Sequence, residues 1–167
     1  LTDQEIKFDT LMFFLAGQDT TSFSLCAALH LLAEHPEIQD RLRSEVLMVL
    51  GKEEYIDDKI QTPSQSQLDQ LKYMHAVIKE TMRLYPAVSI LYNWIAKEDH
   101  DYNGMLVPKN SIIDTYIYAI HRNPKYFENP SKFDPSRFLS DSGEESKADN
   151  FWFGFSTGAR MCLGSSF

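Results

Sequence analysis

Residues 3–34 form a long, largely apolar stretch without proline, and this stretch constrains the fold more than any other part of the sequence. Thr2 followed by Glu5 is typical of a helix start, in which each side chain binds the backbone of the other. Pro36 ends the helix, because the residue before a proline is pushed out of the helical conformation. The middle of the stretch is apolar on nearly every side. The sequence therefore predicts one long helix that is buried there, with Cys26 in the core.

The rest of the sequence predicts two further helices followed by short strands. A second helix is expected from Pro36 to a stop at Gly51. A third is expected over residues 67–84, after a polar loop over residues 52–67. Beyond it, turn-forming dipeptides separate three short predicted strands, at residues 88–96, 105–107 and 112–118. The sequence therefore predicts a mainly α fold with small β-sheets, of the α+β class, in a single piece.

Composition excludes several classes of protein. The 167 residues carry 16 Lys and Arg against 24 Asp and Glu, a net charge of −8, which argues against a nucleic-acid partner. Two cysteines cannot form the disulfide framework of a small secreted scaffold. The longest apolar runs are far shorter than the ~20 residues that span a bilayer. The chain begins at Leu1 rather than Met, so we expect a piece of a longer protein whose targeting signals are not visible here.

Cys162 has the surroundings expected of a ligand to a bound cofactor. It lies between Gly158 and Gly164, whose lack of a side chain lets a large group approach the backbone. Turned backbone amides in such a loop can donate to a thiolate sulfur and tune it as a metal ligand. No Cys or His lies at the spacing of a structural zinc site, so haem iron, which brings its other ligands with it, fits better. The alternative is a buried structural cysteine in a turn.

The segment Phe155-x-x-Gly158-x-Arg160-x-Cys162-x-Gly164 resembles the haem-ligand signature of the cytochrome P450 family at every fixed position. The resemblance implies that these five residues contact haem, an iron protoporphyrin IX. It also implies that the Cys162 thiolate is the axial ligand of the iron. We therefore expect a metal centre in which the protein supplies one ligand.

A competing motif overlaps this segment. Residues 154–158 match Gly-x-Ser-x-Gly, the nucleophile elbow of α/β-hydrolases. That fold needs an acid and then a histidine after the serine, and residues 159–167 contain no Asp, Glu or His. The sequence therefore excludes a hydrolase within this chain.

The middle of the first helix carries a second pattern. Ala16 and Gly17 leave room beside a flat cofactor, and the Thr20 hydroxyl can bond to the Ala16 carbonyl and loosen the helix. This segment resembles the oxygen-activating segment of the same family, which implies that Ala16 and Gly17 contact haem and that Asp19 and Thr20 deliver protons as catalytic residues. The alternative is an ordinary buried helix with a notch of small residues.

Glu80 and Arg83 lie three residues apart, on one face of the third predicted helix. They resemble the Glu-x-x-Arg pair of the family, and residues 134–138 resemble the later motif that supplies a second arginine, Arg137. The resemblance implies a buried structural cluster of these three side chains beneath the Cys162 loop, since buried charges are tolerated only when paired. At position 93, where many members carry an arginine toward a haem propionate, this chain has Asn93. Arg160 is then the best remaining cationic partner.

The resemblance implies a haem-thiolate monooxygenase. Such an enzyme inserts one oxygen atom of O2 into a small apolar organic substrate, with electrons from NADPH through a flavoprotein reductase or another donor. It further implies that residues 1–167 are a partial domain, the C-terminal part of the fold truncated at both ends and inactive alone. The parent protein is expected at the endoplasmic-reticulum membrane. Two alternatives stay open, a haem-thiolate isomerase or dehydratase that needs no external electrons and a non-catalytic truncated product. The intact Asp19–Thr20 pair argues against the first.

Overall fold

A computed structural model describes residues 1–51, 62–140 and 146–166, apart from the side chain of Asn93. Most of the predicted loop at residues 52–67 lies outside the described residues. The helices are α1 (Asp3–Glu34), α2 (Pro36–Leu50), α3 (Gln65–Leu68), α4 (Lys72–Leu84) and α5 (Ile117–His121). The strands are β1 (Ile90–Ile95), β2 (His100–Tyr102), β3 (Met105–Val107) and β4 (Ile112–Tyr116). Short 3-10 turns follow at Pro135–Phe138, Asp149–Phe151, Gly158–Arg160 and Leu163–Ser166.

The ends of α1 and α2 confirm the predictions from their flanking residues. The Thr2 side chain accepts from the Glu5 backbone N–H, and the Thr2 N–H donates to the Glu5 carboxylate at 2.6 Å, which completes a capping box. Pro36 is the first residue of α2, where its missing N–H costs nothing. Gly51 follows α2 with a φ of +88°, a left-handed conformation that favours glycine.

The middle of α1 is exposed, so the prediction that it is buried was wrong for the described residues. An apolar pattern on all sides favours burial only where other elements cover it. The core reaches α1 at its C-terminal end, where Leu31 packs with Ile38 of α2 and Leu84 of α4. Cys26 is exposed as well and does not lie in the core. The exposed apolar side chains of α1 include Phe8, Leu11, Met12, Phe13, Phe14, Leu25 and Leu29.

The third predicted helix is two helices, α3 and α4, separated by a turn at residues 69–71. The apolar spacing continues across this turn, so the sequence pattern did not reveal it. Glu45 of α2 supplies the physical reason, because its carboxylate accepts from the backbone N–H groups of Tyr73 at 2.7 Å and Met74 at 2.9 Å. These donors at the start of α4 have no partner within their own helix, and the negative charge also complements the helix dipole.

The strands form two antiparallel pairs, β1 with β4 and β2 with β3. Asn103 and Gly104, both with positive φ, make the tight turn between β2 and β3, as their dipeptide predicts. The predicted strand over residues 112–118 ends early, because Ile117 begins α5. The α+β class is confirmed. Among the described helices, none has the length and apolar character needed to cross a membrane.

Helix α4 lies between the two apolar clusters of the described residues. One face contributes Tyr73, Val77 and Leu84 to the cluster shared with α1 and α2. Another face places Ala76 against a second cluster that includes Phe127, Phe138 and Ala148. Because α4 is covered on both sides, the polar residues on it are held at fixed positions next to the chain that follows β4.

Candidate functional site

Glu80 and Arg83 form a buried ion pair on α4, and neither side chain is exposed to solvent. Arg83 donates from Nε to Glu80 Oε2 at 2.6 Å and from Nη2 to Oε1 at 2.9 Å. This is the two-point contact that a planar guanidinium makes with a carboxylate. The helical spacing of three residues positions both groups for it.

The remaining donors of Arg83 bind backbone carbonyls of the segment that follows α5. Nη1 donates to the carbonyls of His121 at 2.8 Å and Pro130 at 2.7 Å, and Nη2 donates to that of Lys132 at 3.1 Å. All five N–H groups of Arg83 therefore have a partner. The guanidinium also lies over the Phe127 ring, 5.1 Å from its centre. Arg83 thus connects α4 to the chain over residues 121–132.

Arg137 completes the group by donating from Nε to Glu80 Oε1 at 3.2 Å. The backbone N–H of Asp134 donates to the same oxygen at 2.8 Å. The structure therefore brings Glu80, Arg83 and Arg137 together. Because both arginines pair with Glu80, removing Glu80 would leave the buried Arg83 without a carboxylate, and removing Arg83 would leave Glu80 with the single ionic contact from Arg137.

The cysteine loop, residues 155–164, consists of consecutive turns and contains an exposed thiol. Gly158 has a φ of +72° and Ser156 a φ of +63°, so the backbone reverses twice in this short stretch. The Cys162 N–H donates to the Phe155 carbonyl at 2.9 Å and closes the loop. Cys162 is exposed, which leaves its sulfur accessible to a ligand.

The aromatic segment before the loop is fixed to α4 and α5 by contacts that the sequence did not reveal. The indole Nε1 of Trp152 donates to the Lys79 carbonyl at 3.0 Å, and the Phe153 N–H donates to His121 Nε2 at 2.9 Å. Trp152 also folds over Gly154, where an added Cβ would lie 2.3 Å from the indole ring. These contacts join residues more than thirty positions apart. The only local signal was the density of aromatic residues.

An ion pair holds the 3-10 turn just before this aromatic segment. Lys79 Nζ of α4 lies 2.6 Å from Asp149 Oδ1, and Asp149 Oδ2 accepts from the backbone and hydroxyl of Ser146. Burial raises the pKa of Asp149, but the hydrogen bonds from Lys79 and Ser146 outweigh it, so the pKa lies below the usual value. Asp149 is therefore an anion that ties the chain before the cysteine loop to α4.

A cavity of about 400 Å³ lies between the cysteine loop and the first sheet. Arg160 lines it on the loop side. Val88, Ile90, Leu91, Tyr92 and Trp94 line it on the side of β1 and the residues before it. The arrangement places one cation at the edge of a largely apolar surface, which suits a flat apolar group that carries carboxylates.

The Ala16–Thr20 segment of α1 has part of the geometry expected of it. Thr20 Oγ1 donates to the Ala16 carbonyl at 2.7 Å, and an added Cβ at Gly17 would meet no atom within 4 Å other than the nearby backbone of its own helix. The helix nevertheless continues unbroken through this segment, so the expected loosening is not observed. Thr10 makes the same bond to Ile6, also at 2.7 Å, so this bond alone does not distinguish Thr20.

The described contacts do not join the α1 segment to the cysteine loop. Asp19 is exposed and Thr20 half-buried, and neither hydrogen-bonds to residues 155–164 in the described part of the chain. The site residues therefore fall into three groups: the α1 segment, the buried cluster on α4 and the cysteine loop. The structure links the last two through the segments over residues 121–137 and 149–153.

The donor set of the cysteine loop fits a haem. Among the described residues, no three His, Cys, Asp or Glu side chains lie close enough to hold a metal ion by themselves. A lone accessible thiol suits a metal whose other ligands come from its own macrocycle. Open space surrounds the position of a Cβ on Gly158, and a Cβ on Gly164 would lie 3.7 Å from the Cys162 sulfur. A larger residue at Gly164 would narrow the space around the thiol.

Comparison with known proteins gives a consistent result. The family model described as Cytochrome P450 matches residues 1–167. Cytochrome P450 3A31 of Mesocricetus auratus is 36% identical over 168 residues, which cover 100% of this chain and 32% of that protein. Probable cytochrome P450 4d20 of Drosophila melanogaster is 38% identical over 167 residues, or 31% of its length. A solved structure of a zebrafish cytochrome P450 with progesterone matches 93% of this chain and 33% of its own, with 33% identity and a TM-score of 0.77.

The chain belongs to the cytochrome P450 family. It spans about a third of the length of the curated relatives it matches. The structural match also confirms that the helices and small antiparallel sheets are a portion of the fold of this family.

Proposed function

We propose that the protein to which these residues belong is a haem-thiolate monooxygenase, with residues 1–167 forming part of its catalytic domain. The observation that carries this proposal is the accessible Cys162 thiol on a loop whose preceding residues, Trp152 and Phe153, are hydrogen-bonded to α4 and α5. When bound, the haem supplies the oxygen chemistry. One atom of O2 enters a C–H bond of a small apolar organic substrate, and the other leaves as water with two electrons and two protons.

The cysteine loop would hold the cofactor at two points. The Cys162 sulfur, as a thiolate, would be the axial ligand of the iron and donate electron density to it. Arg160 lines the cavity beside β1, where its guanidinium would pair with a propionate of the porphyrin. Phe155, Gly158 and Gly164 would complete the contact surface, since the two glycines leave space for the flat group.

The α1 segment would supply protons for the reaction, with Ala16 and Gly17 leaving room for the cofactor. The Thr20 hydroxyl gives its own hydrogen to the Ala16 carbonyl, so its oxygen lone pairs are the part available to a water molecule. Thr20 would therefore position that water as an acceptor. The Asp19 carboxylate beside it would take protons from solvent and pass them on.

The electrons would come from a separate protein. A flavoprotein reductase that oxidises NADPH is the expected donor, as family membership suggests. Family membership supports an endoplasmic-reticulum membrane location for the full-length protein. The substrate would be a small apolar organic molecule, and segments outside residues 1–167 would shape most of its pocket.

The carbon monoxide spectrum of the reduced full-length protein tests the axial ligand. We expect the red-shifted Soret band of thiolate ligation in the wild type and its complete loss in Cys162→Ala. Cys26→Ala is the matched control, because Cys26 is also an exposed cysteine but lies on α1, and it should keep the band. A Cys162→Ala protein that retains the band would overturn the proposal.

Oxygen-dependent turnover separates the monooxygenase from an isomerase or dehydratase. A monooxygenase consumes NADPH and O2 in the presence of its reductase and forms an oxygenated product. An enzyme of the second class would turn over without a reductase. Product formation that persists when both NADPH and O2 are removed would contradict the proposal while leaving the thiolate ligand intact.

A further inference from the structure

His121, the last residue of α5, is a buried histidine placed between the ion pair of α4 and the segment before the cysteine loop. None of its surface is exposed. Its ring stacks on Phe153, with a 6.5 Å distance between ring centres and planes only 7° apart, and meets the edge of Phe127. Its backbone carbonyl accepts from Arg83, and its side chain accepts from the Phe153 backbone.

The hydrogen bond from Phe153 fixes the protonation state of this ring. A backbone N–H can only donate, so Nε2 must offer a lone pair and the single ring proton must lie on Nδ1. Nδ1 has no hydrogen-bond partner among the described residues. A second proton on Nε2 would face the Phe153 N–H and break the bond.

The groups around the ring also disfavour a charged form. The Arg83 guanidinium of α4 lies near the His121 ring, and the apolar rings of Phe127 and Phe153, from later segments of the same chain, cover it. Burial and the nearby positive charge of Arg83 lower the pKa of His121 to about 4. The ring is therefore a neutral acceptor at physiological pH.

Hydrogen bonds and the backbone between them connect His121 to the cysteine. The Phe153 carbonyl accepts from the Ser156 N–H at 3.0 Å, and the Phe155 carbonyl accepts from the Cys162 N–H at 2.9 Å. The bond from Phe153 to His121 attaches the backbone of this segment to α5, next to the bond by which the Trp152 side chain attaches it to α4. Without it, the Phe153 N–H would lose its partner and the segment could shift.

We propose that His121 is a positioning residue for the axial cysteine, because its Nε2 holds the Phe153 backbone and through it the loop that presents Cys162. This inference rests on the proposed haem-thiolate function. His121 touches neither the cofactor nor the sulfur, so its effect is on the geometry and persistence of thiolate ligation rather than on the identity of the ligand.

Two substitutions of His121 in the full-length holoenzyme separate the hydrogen bond from the volume of the ring. His121→Phe keeps an aromatic ring that can stack on Phe153 but removes the Nε2 acceptor. His121→Gln places an amide oxygen near the position of Nε2 and restores the acceptor without a titrating group. His100→Gln, at an exposed histidine of β2, is the control for loss of a histidine.

Two measurements report on the loop without relying on turnover. The first is the ratio of thiolate to thiol ligation in the reduced carbon monoxide spectrum. The second is hydrogen exchange of the peptide over residues 151–162. For His121→Phe we expect the ratio to fall roughly five- to tenfold and exchange to rise, because a buried N–H without a partner is costly. His121→Gln and His100→Gln should both stay close to the wild type.

The outcomes distinguish this inference from the proposed function. A wild type without the thiolate band would overturn the function and the inference together. A wild type with the band and an unchanged His121→Phe protein would overturn the inference alone. Equal loss in His121→Phe and His121→Gln, including failure of both to fold, would also overturn it, since an acceptor near the Nε2 position would then not be what matters.

Discussion

Helices α1 and α4 of this chain are stabilised in opposite ways. Helix α4 is shorter and carries two buried charges, yet each charge has partners and both sides of the helix are covered. Helix α1 is more than twice as long, but much of its apolar surface is exposed among the described residues. Hydrophobic character therefore does not indicate which of the two helices other parts of this chain cover.

This difference between α1 and α4 divides the site residues into a group held by contacts within the described chain and a group without such contacts. The cysteine loop is tied to α4 through Trp152, His121 and the Lys79–Asp149 pair, all within the described residues. The Asp19–Thr20 pair lies on α1, whose exposed surface leaves its position to be set by further contacts. We therefore expect substitutions near α4 to act on folding and those at Thr20 to act on chemistry.

The largest effect is expected when residues 1–167 are expressed alone. Leu11, Met12, Phe13 and Phe14 expose a contiguous apolar surface on α1, and such surfaces cause aggregation. We expect poor solubility and no thiolate-type carbon monoxide spectrum, measured by haem titration with near-ultraviolet circular dichroism. Stoichiometric haem uptake with a cooperative thermal transition would show that these residues are a domain in their own right.

A double substitution on the same surface sharpens this prediction. Phe13→Ser with Phe14→Ser should raise the solubility of residues 1–167 and lower the free energy of unfolding of the full-length protein. The loss of stability is expected because other segments would cover this surface in the full-length protein. An unchanged free energy of unfolding of the full-length protein would indicate that the surface stays exposed there.

The next largest effect is expected at the buried pair of α4. Arg83→Met leaves the Glu80 carboxylate without its bidentate partner and should lower the free energy of unfolding by about 3–5 kcal/mol. The control is Lys132→Met at the solvent-exposed pair with Asp134, whose loss should cost about 0–1 kcal/mol. Denaturant titration of the full-length protein measures both. Similar losses in the two variants would contradict a structural role for the buried cluster.

A third effect is expected in the pH dependence of stability. The pKa of His121 is about 4 in the folded chain, below its ordinary value of about 6.5, so the unfolded state binds more protons between these values. Stability should therefore be full above about pH 6.5 and decrease as the pH falls toward 4, by about 3 kcal/mol at most.

His121→Gln removes this component and is the control for it. Asp134 and Asp149 also have lowered pKa values, so their contribution is present above their ordinary values and lost only as the pH falls further. Denaturant titrations from pH 7.5 to 4.5 should show a shallower decrease in His121→Gln than in the wild type. Parallel curves would show that the pKa of His121 is the same in the folded and unfolded states.

The sequence predicted the parts of the fold that depend on neighbouring residues. The limits of α1 follow from Thr2, Glu5 and Pro36, and the turn at Asn103-Gly104 places the second pair of strands. The spacing of Glu80 and Arg83 indicated one helix face, and the structure places them there. These features need only local propensity and spacing.

The sequence did not reveal the features that depend on distant residues. The break before α4 depends on the carboxylate of Glu45, which binds the start of α4 and lies 28 positions before Tyr73. The role of His121 depends on Phe153, which is 32 residues away. Burial of α1 depends on surfaces that its own pattern cannot specify. Local spacing contains no information on these partners, so the pattern alone suggested a continuous third helix and a buried first helix.

The smallest effect on stability, and the most specific for chemistry, is expected at Thr20. Thr20 and Thr10 donate equivalent 2.7 Å bonds to the carbonyl four residues earlier, so Thr10→Ala is a matched control for the structural part of the change. Each substitution should change the free energy of unfolding by less than about 1 kcal/mol, since such bonds contribute little to helix stability. Only Thr20→Ala removes a hydroxyl oxygen that can position water for proton delivery.

In Thr20→Ala we therefore expect haem binding to survive while released peroxide rises relative to product, measured as peroxide formed per NADPH oxidised by the reconstituted full-length enzyme. Asp19→Asn should instead slow turnover, because it removes the proton-carrying group but keeps the shape of the side chain. Thr10→Ala should leave both quantities unchanged. If Thr10→Ala and Thr20→Ala raise peroxide equally, the effect comes from the helix backbone, and protons reach the site by a route that does not use the Thr20 hydroxyl.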